Sequence, residues 1–158
     1  MHIIQESDYR NAVAILKAKT PGLLEEIREI LNDPENTLDL EAHGGQRDPS
    51  KQIKNYFPQG DWQQEAKHLS IQDLRYDIMK NGVPIEIEVS HERLLYADFF
   101  KFLIDYSNDK IPACIIIATE NPLDFGQTWH NSRMKTMRKI KAIIKLFLVP
   151  VLVIGISP

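Results

Sequence analysis

Leu74-Arg75-Tyr76-Asp77-Ile78-Met79-Lys80-Asn81-Gly82-Val83-Pro84-Ile85-Glu86-Ile87-Glu88-Val89-Ser90 is the stretch that decides the fold of this chain. Two alternating runs meet at Asn-Gly, the dipeptide best suited to a two-residue turn with positive φ at both positions. With Asn81 and Gly82 as the turn, Lys80 faces Val83 and the register follows. One face then pairs Ile78 with Ile85, Tyr76 with Ile87 and Leu74 with Val89, a set fit for a core. The other pairs Met79 with Pro84, Asp77 with Glu86 and Arg75 with Glu88. A slip of one residue would set apolar positions against charged ones.

This register puts the Cβ atoms of Asp77 and Glu86 roughly 5 Å apart, with Glu88 two residues further along the same face. Carboxylates so placed repel one another. Two arrangements relieve them. Arg75 neutralises Glu88 and the acids form a solvated sheet face, or a divalent cation sits between Asp77 and Glu86. An all-oxygen donor set suits Mg²⁺ or Ca²⁺. His2, His43, His68, His91 and His130 show no spacing that would hold zinc.

Outward from the hairpin, the N-terminal third reads as helical. Ala12, Ile15 and Leu16 recur at helix spacing, and Thr20-Pro21 resembles an N-cap with proline at the first helical position. Leu23, Leu24, Ile27, Ile30 and Leu31 follow, and Asn32-Asp33-Pro34 stops that helix. A strand is expected over 37–42, then a loop over 43–60 with one short element at 53–57. The hairpin strands cover 71–80 and 83–90. A helix over 92–106 is apolar around most of its circumference, and 112–119 is a central strand. Residues 120–130 form a loop. A helix over 131–147 carries the stripe Met134, Met137, Ile140 and Ile144, and 149–156 is the closing strand. Helices, a meander and then β-α-β give an α/β (α+β) fold. It is a single domain over 1–158, a mixed sheet flanked by helices.

The 158 residues suffice for one core. The net charge of −3 decides nothing about nucleic acid, but its distribution is uneven. Between positions 133 and 145 stand six basic residues and no acid: Arg133, Lys135, Arg138, Lys139, Lys141 and Lys145. Such a run faces a polyanion or is a solvated helix face. No apolar run reaches the ~20 residues of a membrane span. The N-terminus lacks the basic start and apolar stretch of a signal peptide. The lone Cys114 excludes an internal disulfide and reads as a buried reduced thiol. A cytoplasmic location is therefore expected.

Asp77 followed by Glu86-Ile87-Glu88, on a hairpin flanked by helices, resembles the PD-(D/E)xK nuclease core. The third acidic position is usually lysine there, and glutamate in its place resembles the BglII/BamHI branch of type II restriction endonucleases. Asp8-Tyr9, Ala14-Ile15-Leu16 and Leu24-Glu25-Glu26-Ile27 are similar to the N-terminal helices of the BglII group. Ile53-Lys54 and Trp62-Gln63-Gln64-Glu65 resemble the segment preceding its hairpin. The resemblance covers roughly residues 5–92 and implies a Mg²⁺-dependent homodimer (Mn²⁺ able to substitute) that cuts double-stranded DNA at a short palindrome. It gives Asp77, Glu86 and the carbonyl of Ile87 to the metal, and Glu88 to the attacking water. Glu65, with Gln64 as its rival, becomes a fourth, supporting residue on an upstream helix. Lys51, Lys54, Arg133 and Lys135 become phosphate contacts, and His91, Gln127 and Asn131 candidates for base edges. The helices over 92–106 and 131–147 are expected at the dimer interface. Two other readings stay open: a repair or mobile-element nuclease without strict specificity, and a non-catalytic DNA-binding protein.

Overall fold

Runs of β-branched residues build the centre of one sheet: β4 (Val83–Glu88), β5 (Cys114–Thr119) and β6 (Val151–Ser157), nearly all buried. β5 and β6 have the near-continuous apolar character of strands covered on both faces, while β4 carries two buried glutamates. The computed structural model describes residues 1–41, 48–90, 94–126 and 128–158. Around the three central strands stand β1 (His2–Tyr9), β2 (Gln63–Lys67) and β3 (Arg75–Lys80), giving the order β1-β6-β5-β4-β3-β2. The β4/β5 and β5/β6 pairs are parallel and the other three antiparallel, so the sheet is mixed as expected.

On one side of the sheet lie α1 (Ala12–Lys19), α2 (Leu23–Asn32) and α3 (Pro49–Asn55), packed through Leu16, Leu24, Ile27 and Ile53 onto Ile78, Ile85, Ile87 and Ile154. On the other lie α4 (Leu95–Ser107) and α5 (Arg133–Ala142), packed through Leu95, Phe99, Phe102 and Ile140 onto Tyr76, Ile116 and Val153. Cys114 is a buried free thiol. Among the described residues no helix is long and apolar enough to cross a membrane.

Several expectations change. The N-terminal third opens with a strand, β1, which pairs with β6 across almost the whole chain. Its edge position leaves most of its residues partly or fully exposed, so no alternating pattern marked it. Residues 37–41 are not a strand. Their backbone is met instead by a side chain: Asp39 N donates to Gln52 Oε1 at 2.8 Å, and Gln52 Nε2 donates to Asp39 O at 2.9 Å. Position 42 of that expected strand lies outside the described residues. Thr20 closes α1 rather than capping α2. Its hydroxyl donates to Leu16 O at 2.8 Å, and Gly22 stands at the cap with φ +86. Glu65 lies on strand β2, not on a helix, and α5 ends at Ala142, short of 147.

Candidate active site

The hairpin forms in the expected register near its turn, with Lys80 opposite Val83, Met79 opposite Pro84 and Ile78 opposite Ile85. Asn81 and Gly82 have φ of +51 and +73, as the turn demands. Beyond Ile78 the strands part. Asp77 turns its carboxylate between them, and Oδ2 accepts the N–H of Ile87 at 2.9 Å. Asp77 N in turn lies 3.3 Å from Glu86 Oε2. The alternation of β3 breaks here. Ile78 packs toward α2 and α3, while Tyr76 packs toward α4, ring-to-ring with Phe102 at 5.7 Å and His68 at 5.2 Å. Tyr76 thus leaves the face that simple pairing gave it. Opposite Asp77 on β2, Glu65 has φ +49, a left-handed conformation uncommon for glutamate, and the ladder skips it.

On β4 the alternation holds. Ile85 and Ile87 enter the first core, and Glu86 and Glu88 face α4. That face is covered, leaving Glu86 3% and Glu88 7% exposed. The solvated-face reading is therefore overturned. Its ion pair is absent as well: Arg75 Nη1 donates to Glu65 O at 3.0 Å, away from Glu88.

Two residues that sequence reasoning missed complete the cluster. Asp98 and Lys101, three apart on the inner face of α4, meet the two buried glutamates. Lys101 Nζ bonds Glu86 Oε1 and lies 2.7 Å from Asp98 Oδ1 and 3.0 Å from Arg75 O. Asp98 is 3% exposed, and its Oδ2 has no donor unless Glu88 brings a proton. Burial, then the charge of Asp98 and their mutual hydrogen bond, push the Glu88 carboxyl up to about 9. Burial, then Asp98 and Asp77, hold Glu86 well above the usual range despite Lys101. Burial likewise raises Asp98, against the pull of Lys101. These shifts have one origin: several acids removed from water with too little positive charge among them.

The remaining named residues divide clearly. Lys54, on α3, bonds Glu65 and lies 3.5 Å from Asp77 Oδ1, so it belongs inside the cluster. Burial opposes its charge, and Glu65 and Asp77 more than offset that. Gln64, the rival of Glu65, donates to Lys54 O at 2.9 Å and Phe57 O at 3.0 Å, and so ties α3 to β2. Lys51 is exposed on α3. Asn131 is fully buried, and its amide donates to Glu88 O at 3.1 Å and to Thr136 Oγ1 at 2.9 Å. Arg133 is turned inward onto Glu120, with further bonds to Ser7 and Gln5. Lys135 Nζ donates to Thr128 O and His130 O. These three brace the end of β4 and the loop before α5. His91 and Gln127 lie outside the described residues.

The donor chemistry fits a hard cation. Asp77, Glu86, Glu88 and the carbonyl of Ile87 offer oxygen alone, and Lys101 only partly offsets the charge of the buried acids. As they stand, Glu86 is held by Lys101 and Asp77 faces Lys54. No group of three or more His, Cys, Asp or Glu among the described residues is spaced to hold an ion.

Comparison with known proteins bears on this arrangement. The family model described as restriction endonuclease BglII/BglIII matches residues 4–156. Among solved structures, the chain is similar to restriction endonuclease BglII crystallised with a DNA 16-mer. The TM-score is 0.75 at 17% identity, over 100% of this chain and 79% of that one. No curated protein gives a significant match.

Proposed function

Since the chain belongs to the BglII/BglIII family of restriction endonucleases, which cut DNA at specific sites, we propose that Asp77, Glu86 and Glu88 are the centre at which it hydrolyses a DNA phosphodiester bond. The observation that carries the assignment is the opening of the hairpin at Asp77. A carboxylate there enters the gap between strands, bonded to the Ile87 N–H at 2.9 Å, beside a second carboxylate buried to 3% exposure.

Enzymes of this family typically need a divalent metal, and Mg²⁺, with Mn²⁺ as a substitute, matches the oxygen donors. Asp77, Glu86 and the Ile87 carbonyl would hold it. Bound there, it would lower the pKa of a water and neutralise charge building on the phosphate. The chain's own residues do the rest. The Ile87 N–H fixes the Asp77 carboxylate, and Lys101 fixes one oxygen of Glu86. Glu88, paired with Asp98, holds a proton in the metal-free state. Once ionised it is the group placed to accept a proton from the attacking water. Glu65 acts through Lys54, which keeps a positive charge beside Asp77. Lys51 is the exposed phosphate contact from α3.

Cutting both strands needs two such sites, and a C₂ homodimer supplies them. The surface favours the pairing. Tyr96 and Phe100 on α4 are 56% and 59% exposed, and Leu146, beyond α5, is 74% exposed. With Leu103, Ile143 and Phe147 they line one apolar groove. Exposed apolar side chains gathered on one face support an interface there.

Incubating unmethylated phage DNA with the protein, with and without Mg²⁺, tests the assignment. Discrete fragments that require the metal are expected, with Asp77→Asn slower by about 10²–10³-fold, the order seen when one contact to developing charge is lost. A smear would point to a nuclease without sequence specificity. Equal cleavage by Asp77→Asn would move the active site elsewhere.

A further inference from the structure

Lys101 occupies an unusual place for a lysine. Its ammonium has three N–H donors, and all three are used: on Glu86 Oε1, on Asp98 Oδ1 at 2.7 Å and on Arg75 O at 3.0 Å. None is left for a phosphate oxygen or a water. The side chain is 13% exposed. Its helix turn is gripped from behind, since the Lys101 carbonyl meets His68 Nε2 at 3.0 Å and the Tyr76 hydroxyl at 3.3 Å. That hydroxyl also bonds Asp105 at 2.9 Å. The ammonium is therefore a fixed positive charge seated against a proposed metal ligand. Glu86 gives one oxygen to it and the other to the Asp77 N–H.

A cation so placed does two things. It keeps Glu86 and Asp98 together in the absence of metal, and it opposes a second cation at Glu86. We infer that Lys101 is a positioning residue that holds down the divalent-cation affinity of the DNA-free site. The inference rests on the reading of Asp77 and Glu86 as metal ligands. Asp98 belongs to the same device. It shares the ammonium with Glu86 and supplies the acceptor that keeps the lysine on the α4 side of the site.

Mn²⁺ binding to the DNA-free protein, followed by isothermal calorimetry or water-proton relaxation at low salt, separates the alternatives. Lys101→Met and Lys101→Gln should bind Mn²⁺ at least about tenfold more tightly than wild type, the order expected when one nearby like charge is removed. Lys101→Arg, which keeps the positive charge, should bind Mn²⁺ less tightly than either neutral variant. A merely structural lysine would give the opposite result, because losing it would loosen the site and weaken binding. Equal or weaker binding by folded Lys101→Met or Lys101→Gln overturns the inference. So does the failure of both neutral variants to fold while Lys101→Arg folds and binds normally. If no protein shows Mn²⁺ uptake that depends on Asp77, judged against Asp77→Asn, the metal-ligand reading itself falls.

Discussion

Raising the pH of the metal-free protein from 5 to 8 should weaken its fold, and Glu88 should carry much of the effect. Well below pH 4.5, folded and unfolded chains both hold the proton on Glu88. Above that the unfolded chain releases it, while the folded chain keeps it until about pH 9, because the carboxyl is buried against Asp98. The folded state then binds more protons, so stability falls as pH rises through this window. Each unit is worth about 1.4 kcal/mol, so three units amount to roughly 4 kcal/mol. A domain of this size loses ~2–4 °C of Tm per kcal/mol, giving a fall of about 10 °C. Thermal unfolding in EDTA at pH 5, 6, 7 and 8 measures it, with Glu88→Gln alongside. The introduced amide would still donate toward Asp98 but carries no proton to lose, so the variant should show a much shallower slope. Ca²⁺ should restore stability more at pH 8 than at pH 5, because it competes with the proton. A wild-type slope matched by Glu88→Gln, or a Ca²⁺ effect independent of pH, would refute this account of the buried acids.

The surface and the braces give further tests. Phe100→Glu, which puts charge into the apolar groove, should yield a folded monomer by light scattering and lose double-strand cleavage; a dimer that survives would place the interface elsewhere. Lys51→Ala should weaken DNA binding across all sequences and lower the salt slope by about one. Arg133→Ala should instead destabilise the fold by on the order of 3 kcal/mol in denaturant unfolding, because it strands Glu120. Gly155 makes the room that carboxylate occupies, as a Cβ there would sit 2.1 Å from Glu120 Oε2. An Arg133→Ala protein of normal stability with lost DNA affinity would return this arginine to the DNA-contact group.

How legible was this site before the fold was known? The hairpin was readable because its signals are local. Asn81-Gly82 sets the turn, and β4 alternates cleanly between Ile85, Ile87 and the two glutamates. What defeated pattern reading is not local. Tyr76 changes faces because Asp77 spreads the strands, a consequence of where its carboxylate finds the Ile87 N–H. The two glutamates looked like a solvent face because alternation alone cannot tell that α4 covers them. Asp98 and Lys101 were passed over for the same reason. An acid and a base three apart on a helix are usually a surface pair, and only the apolar character of the surrounding turns hinted otherwise. β1 and β2, both at sheet edges, carry the weak patterning that edges allow. Arg133 and Asn131, expected as DNA contacts, were claimed by Glu120 and by the carbonyl of Glu88.

Helix α4 presents Asp98 and Lys101 to the carboxylates of the hairpin and, on its opposite side, Tyr96, Phe100 and Leu103 to the apolar groove. If the groove is the dimer interface and the carboxylates the cutting site, as proposed, one rigid rod answers to two demands. A change that reshapes the outer side shifts the rod that carries the inner one, so neither can drift alone. Within a lineage of such enzymes, positions 96, 100 and 103 should vary in concert with 98 and 101. On that reading, two diverged copies should be poor partners on both counts at once, mismatched at the groove and mistuned at the carboxylates.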